Sequence, residues 1–466
     1  MTARRTIPVA VILGLWFVLW FSTSSFAQGT LYTLVTNGPT AKRINVVVLA
    51  EGYTTNQTNL FLTDAINAFN NLLAQPPYQE YKNYFNGFAI FVASVESGSD
   101  HPISGTLKNT YFNSSFDSYG NPGLLTIPPN SFDATTSHGQ GKVDALLAAL
   151  MPEHDLTVLV VNDLEYGGSG GQTLITSVNV LSPEIIVHES GHAFGGLADE
   201  YTNAFPGFVP VEMPNATAIT NRASAKWTSW ILGSTPIPTP QDSSNAAVVG
   251  LFQGAEYQTA GWYRPKLDCK MRGLFTSFCE VCSEQLVKSM YTQVRPIQSY
   301  LPVATNLALF STQTVEFSLT PLQPLTHNLS VQWFTNGSAI TGATNTTFNL
   351  VPTSLGNGSH TLKSVVSDST TLVKSDPSGL LKATNTWNLS LSLNDLALVS
   401  AQYLASNRFR LTVTGTAPAG FVIQASTNFV NWSPLTTNSL SSGKFDYTNA
   451  NLTNFTFRFY RTVSPP

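Results

Sequence analysis

The sequence predicts a mixed α/β (α+β) domain followed by one or two small all-β sandwich domains. Two observations carry this reading. Between residues 31 and 295, short apolar runs alternate with stretches of helical apolar spacing, the order of a layered α/β or α+β fold. From about residue 297 onward apolar and polar residues alternate instead, and Asn-Gly, Gly-Asn-Gly and Asp-Ser turns separate the runs at the spacing of a β-sandwich. A chain of 466 residues has room for this many units at ~150 residues per domain.

Taken in order, Arg4 and Arg5 precede an apolar run from Ile7 to Phe21, which ends in the small-x-small sequence Ser25-Phe26-Ala27. This has the form of a secretory signal peptide over residues 1–27, and the run is short of the ~20 residues a spanning helix needs. No membrane span is therefore expected after signal cleavage, and the protein is expected outside the cytoplasm, secreted or on the surface of a bacterial cell. Ile44–Ala50, Phe88–Val95 and Leu156–Val161 read as buried strands, and Thr58–Leu73 and Val143–Met151 as helices. Ser182-Pro183-Glu184 has the hydroxyl, proline and acid of a helix start. Tyr166–Gly171 followed by Leu174–Val180 reads as a loop and edge strand, beside which an extended peptide can pair. Val315–Leu319, Ser330–Phe334, Thr347–Leu350 and His360–Val366 read as sandwich strands around a core Trp333, and Phe409–Val413, Phe421–Ala425 and Phe455–Arg461 as a second β segment. The expected units are thus 28–297, 298–391 and 392–466.

Charge narrows the function. Only 11% of residues are charged, and the formal net charge is −4. It divides unevenly: residues 28–297 hold 13 basic and 22 acidic side chains, residues 298–466 hold 8 and 5. No basic patch supports a nucleic-acid partner. The acidic first domain disfavours acidic substrates. The β modules are near neutral and make up a large share of the chain, and a glycan or cell-surface partner is expected for them because extracellular sandwiches often serve adhesion or spacing.

The chemistry lies in His188-Glu189-Ser190-Gly191-His192. Residues four apart share a helical face, so both imidazoles can reach one metal ion, with Glu189 next to the open coordination position. A zinc ion there lowers the pKa of its water toward ~7, and Glu189 takes the proton. Upstream, Ile185, Ile186 and Val187 make the helix a buried one, where uncompensated polar groups are costly. Gly195-Gly196 can end the helix and fold the chain back. In the metzincin pattern the third ligand falls six residues after the second histidine; here that position is Ala198, which has no donor. Asp199 is the expected substitute, with Glu200, Glu212 and Glu256 as alternatives. Tyr201 and Tyr263 are candidates to hydrogen-bond a developing oxyanion, although either can equally be a core tyrosine.

The stretch His188–Tyr201 is similar to the active-site stretch of the IgA metallopeptidase family. The resemblance extends to Val46–Thr54, Ser97–Asp100, Asn162–Gly171 and Tyr263–Arg272, covering roughly residues 31–295. It implies a secreted zinc endopeptidase of zincin or metzincin type, acting on proteins or peptides, with Met271 in a turn beneath the metal. The founding member's immunoglobulin substrate does not transfer with the fold, because specificity resides in loops and added modules. The competing expectation is a surface protein with an inactive zincin domain, whose β modules bind glycan or protein. Cys269, Cys279 and Cys282 lie close together in sequence. A structural zinc site lacks a nearby histidine as fourth ligand, so a disulfide from Cys269 to Cys279 or Cys282 is the expectation in an exported chain.

Overall fold

The computed structural model describes residues 29–466 apart from 206, 311–313, 393–396, 416–419, 441–442, 451, 453–454, 456 and 464–466. The expected signal peptide lies outside the described residues. The first half is built on a six-stranded sheet of β1 (Thr30–Val35), β2 (Ile44–Glu51), β3 (Phe85–Phe91), β4 (Leu156–Val161), β5 (Gly168–Ser169) and β6 (Leu174–Ser177), in the order β1-β3-β2-β4-β6-β5. Strands β3, β2, β4 and β6 run parallel, and β1 and β5 close the two edges antiparallel. Three helices, α1 (Thr58–Leu72), α2 (Gln140–Leu150) and α3 (Ser182–Ala193), cover it.

Strand β2 shows why its sequence is apolar throughout. All eight of its residues are buried, with Ile44, Val46, Val48 and Ala50 packed on one face among residues of α1 and α3, and Val47 and Leu49 on the other with those of α2. A parallel strand covered on both faces needs no polar alternation. Helix α1 buries Phe61, Ala65, Ala68, Phe69 and Leu72, the spacing of a single helical face.

At the end of β2, Glu51 is wholly buried and its carboxylate accepts hydrogen bonds from Thr110 Oγ1 (2.6 Å), Phe112 N (2.9 Å) and Ser114 N (2.8 Å). Burial pushes this carboxyl above its ordinary value, against the pull of those donors. Nearby, Asn162 Nδ2 donates to Gly52 O and Ser97 Oγ, so stretches far apart in sequence meet at this end of the sheet. Glu51→Ala should leave three buried donors without an acceptor. At ~1–3 kcal/mol each, we expect a loss of about 3 kcal/mol or more, read as an earlier urea unfolding transition, with Glu51→Gln losing less.

Beyond the hairpin of β7 (Phe252–Ala255) and β8 (Gln258–Arg264), α4 (Glu280–Gln293) ends the mixed region. There follow small, mainly antiparallel sheets. β9 (Ile297–Leu301), β11 (Val315–Pro321) and β14 (Thr347–Leu350) form one; β10 (Asn306–Phe310), β12 (Ser330–Thr335), β13 (Ser338–Ala339), β15 (Gly358–Ser367) and β16 (Lys382–Ser392) form its partner. Trp333 and Trp387 stack in their shared core, both fully buried. Two further three-stranded sheets comprise β17 (Ala397–Leu404), β18 (Arg408–Thr414) and β21 (Lys444–Asn449), and β19 (Gly420–Ser426), β20 (Ser433–Ser439) and β22 (Phe459–Val463). The first sandwich is tied to the mixed region through Asp368, whose Oδ2 accepts from Tyr81 OH and Tyr291 OH at 2.8 and 2.7 Å. No helix among the described residues is long and apolar enough to cross a membrane.

Candidate active site

Helix α3 carries the site. Its start differs in detail from the sequence expectation: Leu181 is the capping residue, and the Ser182 hydroxyl turns back to the carbonyls of Ser177 and Asn179. The helix ends at Ala193, and Gly196 takes a left-handed conformation, φ +60°. That reversal brings Leu197 N onto Gly191 O and Leu197 O onto His192 Nδ1, at 2.9 and 2.7 Å. On the other ring, His188 Nδ1 lies 2.8 Å from Lys270 O. Both Nδ1 atoms thus donate to carbonyls, which turns both Nε2 atoms toward the cleft.

The returning chain places Asp199 opposite them. Its Oδ1 is 3.2 Å from His188 Nε2 and 3.2 Å from His192 Nε2. This oxygen is buried and has no hydrogen-bond partner of its own, so three potential metal ligands converge, the imidazoles once they give up a proton. Donors held by one tetrahedral zinc at ~2.0–2.1 Å stand about 3.4 Å apart. The donor set therefore fits a metal ion. Its electrostatics agree. Burial alone would raise Asp199, yet the two imidazoles hold it well below the usual carboxylate range. Burial would lower His192, and Asp199 outweighs it, pushing the metal-free imidazole up to about 9. Glu189, raised by burial against the pull of the two histidines, lines the same cleft of about 830 Å³ with Tyr166, Gly170 and Tyr201.

Met271 is fully buried beneath α3. A Cβ on Gly191 would stand 2.4 Å from its Sδ, so only glycine lets the helix approach this turn. The turn is bound from both sides. Met271 O accepts from Glu200 N at 2.8 Å, and Lys270 Nζ pairs with Glu184 in the first turn of α3.

The alternatives to Asp199 face elsewhere. Glu200 is buried away from the cleft and accepts from Asn215 Nδ2 at 2.9 Å. Glu212 pairs with Lys226, and Glu256 accepts from Val211 N. Tyr263 is buried in β8, with its backbone paired to Thr217, and does not line the cleft. The stretch expected as the edge strand forms β6, which lies one strand inward; the edge is taken by β5, from the expected loop, and Gly168 is also paired to Leu124.

Sequence reasoning missed Tyr257, whose hydroxyl donates to Asp199 Oδ2. It sits in the two-residue loop between β7 and β8, where Glu256 and Tyr257 both have positive φ, 50° and 62°. Such loops favour Asn-Gly or Asp-Gly. Here the strained pair is held because Glu256 N donates to Asp199 O and Tyr257 N to Tyr201 O, at 2.9 and 3.0 Å. A Glu-Tyr pair between two strand patterns was the available signal. Burial and the neighbouring Asp199 raise both Tyr201 and Tyr257, so both hydroxyls keep their protons.

Cys269, Cys279 and Cys282 are all buried and all free. Cys269 Sγ and Cys282 Sγ stand 3.6 Å apart, against ~2.05 Å for a disulfide, so the structure holds thiols where a bridge was expected.

No curated protein matches the chain. Among solved structures it is similar to fibronectin(III)-like modules of Clostridium thermocellum CbhA, at 10% identity and a TM-score of 0.15, covering 32% of this chain and 77% of that one. It is similar to the apo form of Bacteroides uniformis beta-glucuronidase 3 at 8% identity and a TM-score of 0.14, covering 44% and 27%. A tetra-tandem repeat from the extending region of a large adhesion protein matches at 15% identity and a TM-score of 0.13, covering 33% and 46%. At these scores the likenesses decide nothing about the site. Residues 32–246 and 241–290 match the family model of IgA Peptidase M64, more than half of the chain, which therefore belongs to that peptidase family.

Proposed function

We propose that the protein is an exported, zinc-dependent endopeptidase that hydrolyses peptide bonds of extracellular proteins, with His188, His192 and Asp199 as metal ligands and Glu189 as general base. The observation that carries this is the convergence of two imidazole Nε2 atoms and one unpartnered carboxylate oxygen beside Glu189 in an open cleft. A zinc ion held there supplies Lewis acidity toward the scissile carbonyl and the attacking water. Glu189 takes the proton of that water and returns it to the leaving amine. Its burial favours this role, since a carboxyl raised toward the working pH both accepts and releases a proton readily. Tyr201 borders the cleft and is a hydrogen-bond donor toward negative charge developing on the carbonyl oxygen. Tyr257 holds Asp199 from behind and is a positioning residue.

The same reading places the peptidase unit at 28–297 and β modules at 298–391 and 392–466. Separate apolar cores around Trp333 and around Phe421 support the latter two. Export rests on the N-terminal signal pattern. The presence of His188, Glu189 and His192 together speaks against an inactive surface protein. The test is a digest of casein or gelatin by the full chain. Cleavage should stop on chelation and return with zinc. Stoichiometric zinc without cleavage of any substrate would favour the binding alternative.

A further inference from the structure

A second cluster of metal-ligating side chains lies behind the active site. Glu200, Cys269, Cys279 and Cys282 bring one donor atom each to within 4.8 Å of one another, and all four residues are buried. Cys279 is the capping residue of α4 and Cys282 lies in its first turn, an arrangement that favours negative sulfur. Cys269 stands two residues before Met271, and Glu200 one residue after Asp199.

We propose that these four side chains hold a structural zinc ion, distinct from the catalytic one. Cys269 Sγ and Cys282 Sγ are 3.6 Å apart, close to the separation of about 3.7 Å between two sulfurs on one tetrahedral zinc at ~2.3 Å. Glu200 Oε1 lies 3.4 Å from Cys282 Sγ. Glu200 Oε2 is buried without a hydrogen-bond partner. The Cys279 N–H points at Cys269 Sγ at 3.2 Å, the backbone donor a metal-bound thiolate requires. One disulfide would use two of the three sulfurs and leave the third thiol beside a buried carboxylate whose Oε2 still has no partner. One zinc ion uses all four groups, each thiol releasing its proton to solvent on binding. The buried Arg264 guanidinium, in electrostatic reach of Glu200 and Cys269, offsets part of the site's negative charge.

The consequence is mechanical. This ion would fasten the Asp199–Glu200 segment, the Met271 turn and the start of α4 at one point. Lys270, between Cys269 and Met271, supplies the carbonyl that orients His188. The site would therefore act as a staple beneath the active site.

The test isolates this site by removing the other. The full-length His188→Ala/His192→Ala variant, loaded with zinc and dialysed, should retain one zinc ion per chain. X-ray absorption on that sample should give a sulfur-dominated shell at about 2.3 Å. Cobalt(II) in its place should give a near-ultraviolet thiolate charge-transfer band. Adding Cys282→Ser should abolish retention of the ion. If that variant fails to fold, the absorption and cobalt spectra decide alone. A zinc-free double-histidine variant, a shell of nitrogen and oxygen only, or a disulfide among the three cysteines on non-reducing peptide mapping would each overturn the proposal. None of these readouts depends on peptidase activity, so this proposal can fail while the catalytic one stands.

Discussion

Replacing Glu189 by alanine should abolish peptide hydrolysis while leaving zinc content nearly intact. Glu189 follows His188 directly and lines the cleft, whereas the three converging donors come from His188, His192 and Asp199. Removing it takes away the proton acceptor and leaves the donor set whole. General acid–base catalysis contributes about 10²–10⁴-fold, and a base that serves both the attacking water and the leaving amine should lie at or above the top of that range. Glu189→Gln, equal in size but unable to accept the proton, should be as inactive as Glu189→Ala. Turnover assays on casein beside metal analysis of the same samples check this. A Glu189→Ala protein that turns over at the wild-type rate would rule out the mechanism.

Asp199→Ala should have the opposite signature, losing the metal and activity with it. It leaves two histidines facing a gap, and it strands the Tyr257 hydroxyl that now donates to Asp199. Loss of an outer partner of a metal ligand costs about 10–100-fold in affinity. We expect Tyr257→Phe to fall in that range, and Asp199→Ala to exceed it. The metal affinity should also depend on pH. Burial lowers the metal-free His192, but Asp199 outweighs it and pushes the imidazole up to about 9, so at neutral pH zinc is expected to displace a proton. Affinity should fall as pH drops below about 9, by up to ~10-fold per unit for each proton displaced. Competition titrations with a chelator across pH 6–9 measure both effects. An affinity unchanged by Asp199→Ala would assign the third ligand elsewhere.

The parts of this site that are local in sequence were legible there. Two histidines four apart on a helix, a carboxylate between them and glycines after them follow from helical geometry alone. The buried strands Ile44–Glu51 and Leu156–Val161 were equally plain, because a strand covered on both faces must be apolar throughout. The contacts that sequence spacing does not carry were the ones missed. Tyr257 reaches Asp199 across 58 residues, through a hairpin turn whose strained backbone runs against ordinary turn preferences. The fourth member of the cysteine cluster was sought among nearby histidines. It is a carboxylate, Glu200, 82 positions from Cys282, delivered by the chain reversal at Gly196. Tyr263 looked equivalent to Tyr201 by residue type, but its place in β8 buries it away from the cleft. Ser182 had the residue type of a helix cap, and its hydroxyl instead found two carbonyls closer at hand.

On the proposed function, His188, His192 and Asp199 hold a catalytic zinc ion beside Glu189. Diffraction at the zinc absorption edge from crystals of the zinc-loaded protein tests it most directly. The expected result is an anomalous peak within bonding distance of His188 Nε2, His192 Nε2 and the Asp199 carboxylate, with Glu189 beside it but not bound to it. No peak at these donors after zinc loading, or one completed by Glu200, Glu212 or Glu256 in place of Asp199, would contradict the account.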